Sequence, residues 1–278
     1  MTDLAPPSYF RRHIALPADH GSWVFLFSPL LIGLFAGGRW TGASASALLV
    51  VAALAAFLAR QPATILVKAY SGRRSRDELP AARFWLALYA GAGLAAGAGL
   101  LAAGFGYLLL LVIPGLAVFA WHLYLVSRRA ERKQLGVELV ASGVLALAAP
   151  AALWVGRGNP APVGWWLWAL CWMQSAASIV HAYLRLEQRT WSAIPGVNRR
   201  AALAGRALLY TTFNLVATAA LCFAAVLPPL IFAPFALQWA ETVLGAFVPA
   251  IGARPTAIGV RQLIVSTAFT VLFILFWR

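Results

Sequence analysis

Apolar residues along this chain do not alternate with polar ones; they run almost unbroken for about 20 residues at a time, the length a helix needs to cross a hydrocarbon core of about 30 Å. Nine such segments can be drawn, at 22–38, 43–59, 84–103, 105–126, 135–155, 164–184, 201–223, 227–250 and 258–277. None has the two-residue period of a lipid-facing barrel strand, so the spanning element is the helix. The fold class is therefore all-α: a polytopic membrane bundle of about nine transmembrane helices. Residues 1–21 form a polar N-terminal tail and 22–278 a single transmembrane domain. The eighth segment carries Pro228, Pro229 and Pro234, which should kink or break it. The links between segments 3 and 4 and between 7 and 8 are short enough for tight hairpins. Gly91, Gly93, Gly97 and Gly99 give segment 3 a small-residue face for close helix approach.

Charge fixes the orientation. All but three of the 22 basic residues fall on one side of the nine-segment layout. They are Arg11 and Arg12; Arg60, Lys68, Arg73, Arg74, Arg76 and Arg83; Arg128, Arg129, Arg132 and Lys133; Arg185, Arg189, Arg199, Arg200 and Arg206; Arg254 and Arg261. Arg39, Arg157 and Arg278 occupy the other side. Cytoplasmic loops are the ones enriched in Lys and Arg, which puts the N-terminus in the cytoplasm. Trp40, Trp154, Trp165, Trp166 and Trp277 on the opposite side suit an interfacial aromatic belt.

Composition supports the same class: 62% of residues are hydrophobic and 11% charged, against about 25% charged in soluble domains. The net charge of +14 then reflects orientation and contact with anionic membrane lipid rather than nucleic acid. The first 19 residues hold Pro6, Pro7, Arg11, Arg12 and Asp19 and lack the apolar core of a cleavable signal. Cys171 and Cys222 lie in apolar runs and read as small core residues, not a disulfide.

Candidate chemistry collects on the cytoplasmic side. His181, Arg185 and Arg189 recur every four residues and share one helix face. His122-Leu-Tyr124-Leu125, followed by Arg128, Arg129 and Arg132, repeats the ending His181-Ala-Tyr183-Leu184, and suggests an internal repeat of two halves. Arg60 and Lys68 close segment 2, and His20 opens segment 1. Loop arginines such as Arg73, Arg74, Arg76, Arg199 and Arg200 read as membrane anchors. By contrast, His20, Arg60, Lys68, His122, Arg128, Arg132, His181 and Arg185 could line a cytoplasmic mouth that binds an anion. Two acids lie within the membrane segments: Glu138, for which an arginine of segment 4 is the simplest partner, and Glu241, with no basic residue placed at its depth. Glu241 is then protonated, hydrogen-bonded near Asn214 or Gln238, or part of a polar pathway. No acidic cluster, zinc spacing or P-loop occurs, so no metal or cofactor is expected. His122 and His181, beside arginines at helix ends, make poor haem ligands.

The stretch Leu16-Pro17-Ala18-Asp19-His20-Gly21-Ser22-Trp23 resembles the start of the YwiC-like family of bacterial membrane proteins. Arg60-Gln61-Pro62 with Lys68, Arg128-Arg129 with Arg132 and Glu138, and His181 with Arg185 carry the resemblance along nearly the whole chain. It implies a multi-pass protein of the bacterial inner membrane and assigns no activity. The helix count and orientation are similar to those of UbiA-type prenyltransferases, whose Asp-rich cytoplasmic motifs hold Mg²⁺ and a prenyl diphosphate. The corresponding stretches here, Arg60 to Lys68 and His181 to Arg189, are basic. That implies a shared layout without the metal chemistry, with bases gripping a phosphate or carboxylate head directly. The leading expectation is a basic cavity for an anionic amphiphile, an isoprenoid or phospholipid, with or without turnover. The alternatives are a small-anion transporter and a non-catalytic subunit or assembly factor of a membrane complex.

Overall fold

The computed structural model describes residues 9–17, 20–38, 43–130 and 134–277, with the side chains of His20 and Gly21 outside that description. The described residues contain helices and no strand: α1 (Arg12–Ala15), α2 (His20–Ala36), α3 (Ala43–Tyr70), α4 (Leu79–Ala102), α5 (Leu109–Ser127), α6 (Leu135–Leu145), α7 (Ala148–Arg157), α8 (Val163–Gln188), α9 (Val197–Phe223), α10 (Phe232–Phe247) and α11 (Pro255–Phe276). Six stretches among them are long and apolar enough to cross a membrane: 43–70, 76–102, 106–127, 135–157, 197–223 and 255–276. The protein is thus an all-helical, multi-pass membrane protein. Helix also covers the remaining predicted segments, with α2 at 17 residues, α8 at 26 and α10 at 16.

The chain folds as two compact units. The first comprises residues up to His20, Arg39–Val137 and Trp154–Pro160. Its centre is the α3–α4 pair, and the glycines of α4 explain the fit. A methyl on Gly93 would stand 3.4 Å from the Ala55 Cβ, and one on Gly99 would meet the Leu48 Cδ1 at 2.9 Å. Of the expected small-residue face, Gly93 and Gly99 pack against α3, while a Cβ on Gly91 or Gly97 would meet nothing within 4 Å. Ile14 of α1 packs into a small core with Ile65, Ala81 and Ala82. α5 lies against α3 rather than along α4, so the expected hairpin between segments 3 and 4 does not form. The reason is local: Gly104 takes φ +90 and a 3₁₀ turn at Gly106–Leu108 follows, which redirects the chain.

The second unit comprises Gly21–Gly38, Glu138–Leu153 and Ala161–Arg278. Here α2 meets α7 at Gly33, where a Cβ would stand 2.2 Å from the Ala149 oxygen. The Ser28 and Thr270 hydroxyls hydrogen-bond between α2 and α11. Two tryptophans of α8 donate to carbonyls of α6: Trp168 to Gly143 and Trp172 to Leu139, both at 2.9 Å. α9 and α10 pack as the expected hairpin. A polar ladder joins α8 to its neighbours, with the Asn214 amide donating to Met173 O at 2.8 Å and the Gln238 amide to Gln174 O at 2.9 Å.

Three details differ from the pattern-based expectation. The fifth segment is broken at Ala146–Leu147, because Pro150 has no N–H for the Ala146 carbonyl, which accepts from Ala149 instead. The eighth is shortened at Pro228 and Pro229, which precede α10, but it is not broken at Pro234, which sits in the first turn of α10, where a missing N–H costs no helical bond. Trp154 is 2% exposed and so is no lipid-facing belt residue; the Tyr107 hydroxyl donates to its carbonyl. Trp165 and Trp166 are exposed, while Trp40 lies outside the described residues.

Candidate functional site

The second unit encloses a cavity of about 190 Å³ where α8, α10 and α11 converge. Liquid water occupies about 30 Å³ per molecule, so the space suits a small head group and not a lipid tail. α8 contributes Ser178, His181 and Arg185, spaced along one face; α10 contributes Gln238, Glu241 and Thr242; α11 contributes Arg261, Gln262 and Ser266. Ala250, Ala253, Ala257, Ile258 and Val265 supply apolar wall.

Close approach of α8 to α10 depends on Gly245. A Cβ there would stand 2.6 Å from the His181 Cε1 and 3.4 Å from the Arg185 Cδ, so any side chain would displace the histidine. This lets the Arg185 Nη1 reach the end of α10, donating to the carbonyls of Gly245 at 3.0 Å and Val248 at 2.6 Å, and to the Gln188 Oε1 at 3.0 Å. The Gln188 amide donates to Gly245 O, and the Arg200 guanidinium to Phe247 O. The final carbonyls of α10 have no intrahelical donors. Two arginines and a glutamine satisfy them, and the positive charge complements the negative end of the helix dipole.

Glu241 has a basic partner that the sequence reading did not place at its depth. The Arg261 Nε donates to its Oε1 at 2.6 Å and Nη2 to its Oε2 at 2.9 Å, a bidentate fork. The His181 Nε2 stands 3.8 Å from Oε1. Asn214 and Gln238 instead donate to carbonyls of α8. Because α11 begins at Pro255, Arg261 lies almost two turns inside the helix and not in a loop. With neutral His181, the cluster carries two guanidinium charges against one carboxylate, a net positive balance. Among the described residues, Arg185 Nε and Nη2 and Arg261 Nη1 have no protein acceptor, which leaves donors for an anion.

Two buried polar atoms of His181 and Gln238 are unsatisfied. His181 Nδ1 and Gln238 Oε1 are buried with no hydrogen-bond partner. An unpaired buried polar atom costs about 1–3 kcal/mol.

The other predicted site residues are placed as follows. Glu138 accepts from the Tyr183 hydroxyl at 2.7 Å, and not from an arginine. That gives the tyrosine of the His181-Ala-Tyr183-Leu184 ending a structural task. Arg189 caps the end of α8 and is exposed. In the first unit, the Arg60 guanidinium lies 5.5 Å from the Phe57 ring and that of Arg128 lies 5.9 Å from Tyr124. Lys68 and His122 are half-buried on α3 and α5. Arg132 and the side chain of His20 fall outside the described residues. Three presumed anchors also hold structure. Arg73 donates to the Val126 carbonyl at the end of α5, Arg74 pairs with Glu78, and Arg200 caps α10. Sequence reasoning missed Arg261, Gln238, Gln262 and Ser178. The available signal was Arg254-Pro255, since proline favours the first helical position and so marks where α11 begins. Among the described residues, no three His, Cys, Asp or Glu side chains gather in a metal-sized group.

No curated protein and no solved structure matches this chain. A family model does match, that of the YwiC-like protein, over residues 16–153. The matched stretch covers α2–α6 and most of α7 and ends before α8, so the cavity walls lie beyond it. With the Leu16–Trp23 entrance and the Arg60-Gln61-Pro62 ending both inside that stretch, residues 16–153 match the YwiC-like family.

Proposed function

We propose that this protein is a nine-helix inner-membrane protein that binds the anionic head of an amphiphile in the cavity between α8, α10 and α11. The observation that carries this reading is the charge cluster Arg185–Glu241–Arg261 with His181, buried at Arg185 and His181 and open at Arg261. It has positive excess, donors to spare and room for a head group. A purely structural ion pair needs no cavity, and buried charge inside a membrane usually faces a ligand, a pathway or a partner charge. The apolar wall of Ala253, Ala257 and Val265 suits the first carbons of a tail. The layout similar to UbiA-type prenyltransferases belongs to this reading, with direct basic recognition in place of Mg²⁺.

Orientation is tested by reporter fusions. The side bias of the basic residues predicts an external reading at Arg39 and Arg157 and an internal one at Arg74 and Arg132. A single reversal removes the nine-helix layout. Binding is tested by titrating the purified protein with dodecyl phosphate. Saturable binding is expected, undiminished by EDTA, because guanidinium groups and not a metal supply the charge. Binding abolished by EDTA and restored by Mg²⁺ overturns the basic-site reading.

A further inference from the structure

We infer that this cavity selects a singly charged head with two oxygens side by side, a carboxylate or a phosphate diester, over the doubly charged phosphate monoester. The inference rests on the anion-binding reading above and adds the charge and shape of the group bound there.

Arg185 is 8% exposed and lines the cavity, yet no carboxylate among the described residues pairs with it. The one acid among the lining residues, Glu241, is held by Arg261, whose Nε and Nη2 donate to its two oxygens at 2.6 and 2.9 Å. Nε and Nη2 form the side-on edge of a guanidinium, two parallel N–H groups that match two oxygens on one atom. On Arg185 that same edge is empty. Its Nη1 carries all of its hydrogen bonds, to the carbonyls of Gly245 and Val248 and to the Gln188 Oε1. Nε and Nη2 have no acceptor among the described residues, and both keep accessible surface, unlike the occluded Arg200 Nε.

The balance of charge then sets the charge of the ligand. The charged and titratable groups of the cavity are His181 and Arg185 on α8, Glu241 on α10 and Arg261 on α11. Glu241 offsets Arg261, so with His181 neutral one positive charge remains, and it sits on Arg185. A cation taken out of water costs free energy unless a counter-charge is supplied. One negative charge spread over two oxygens completes Arg185 as Glu241 completes Arg261. A second negative charge finds no unpaired cation and meets the Glu241 carboxylate in the same cavity. In a partly open site that repulsion is worth about tenfold in affinity. A neutral head or an ammonium leaves Arg185 uncompensated.

The test is a titration of the full-length protein in detergent with dodecyl phosphate, a monoester, and dodecyl methyl phosphate, a diester. The diester carries one charge throughout, whereas the monoester passes from one charge to two as pH rises through its second pKa of about 6. Taking the ratio of the two affinities at each pH removes the titration of His181 or Glu241 common to both. The two compounds are expected to bind about equally at pH 5, and the monoester about tenfold more weakly at pH 8. Glu241→Gln removes the repelling charge and is expected to bring the ratio at pH 8 back to about one. Dodecanoate at pH 8 separates the two singly charged heads: tighter binding than the diester assigns a carboxylate, weaker binding a phosphate diester. A ratio that stays constant between pH 5 and pH 8, or favours the monoester at pH 8, overturns the inference while the anion site stands. So does a ratio unmoved by Glu241→Gln, and where that variant does not fold the wild-type ratio decides alone. Absence of binding by every compound overturns the anion-site reading as well.

Discussion

Replacing Arg261 with methionine is expected to lower the melting temperature of the detergent-solubilised protein by about 5 °C, while Glu241→Gln with Arg261→Met together recovers most of the loss. Removing one partner of a fully buried pair costs about 3–5 kcal/mol, and an exposed pair is worth about 0–1 kcal/mol. The side chains of Glu241 and Arg261 are 13% and 48% exposed, which places this pair between the limits at about 2 kcal/mol. For a chain of this size that is roughly 5 °C. The single variant leaves a carboxylate against the His181 ring with no bidentate donor; the double variant leaves a neutral amide. Thermal melts of the four proteins close the cycle, and additive losses would show that the pair is not coupled.

Arg185→Ala is expected to have the larger effect, about 3 kcal/mol, because it removes more than a charge. Its Nη1 holds two carbonyls at the end of α10 and the Gln188 Oε1, and hydrogen bonds to charged groups are worth about 1.5–3 kcal/mol each. The Gln188 amide still reaches Gly245 O, so Val248 O loses the most. Arg185→Lys should restore part of the melting temperature, since an ammonium can cap a helix end. It should restore less of the dodecyl phosphate affinity, since a point charge cannot cap the helix and present a free fork at once. Arg199, exposed at the start of α9, serves as the control, and its alanine variant should stay within about 0.5 kcal/mol. Equal effects at 185 and 199 would reduce Arg185 to a membrane anchor.

What the sequence disclosed follows from which forces are local. The long apolar runs became helices because a hydrocarbon core leaves the backbone no other way to pair its N–H and C=O groups. The four-residue spacing of His181 and Arg185 placed both on one face and in one cavity, because helix geometry alone settles that. The failures are tertiary or concern element ends. Arg261 counts with the basic residues of one side although it falls inside segment 258–277, and only the packing of α11 against α10 shows it paired with Glu241. Pro150 was visible, but a run of alanines and leucines around it hid the break it causes. Trp154 looked interfacial by position, and only packing shows it to be core. Gln238 reads from the sequence as a candidate partner of Glu241, and its amide instead donates to α8.

The most direct test of the central claim is native mass spectrometry of the protein extracted from its membrane, wild type beside Arg185→Lys. The account predicts a retained species on the wild type whose fragments include an anionic head group, and depletion of that species on the variant at unchanged fold. A wild type that carries no anionic species, or the same species retained equally by both proteins, would contradict it.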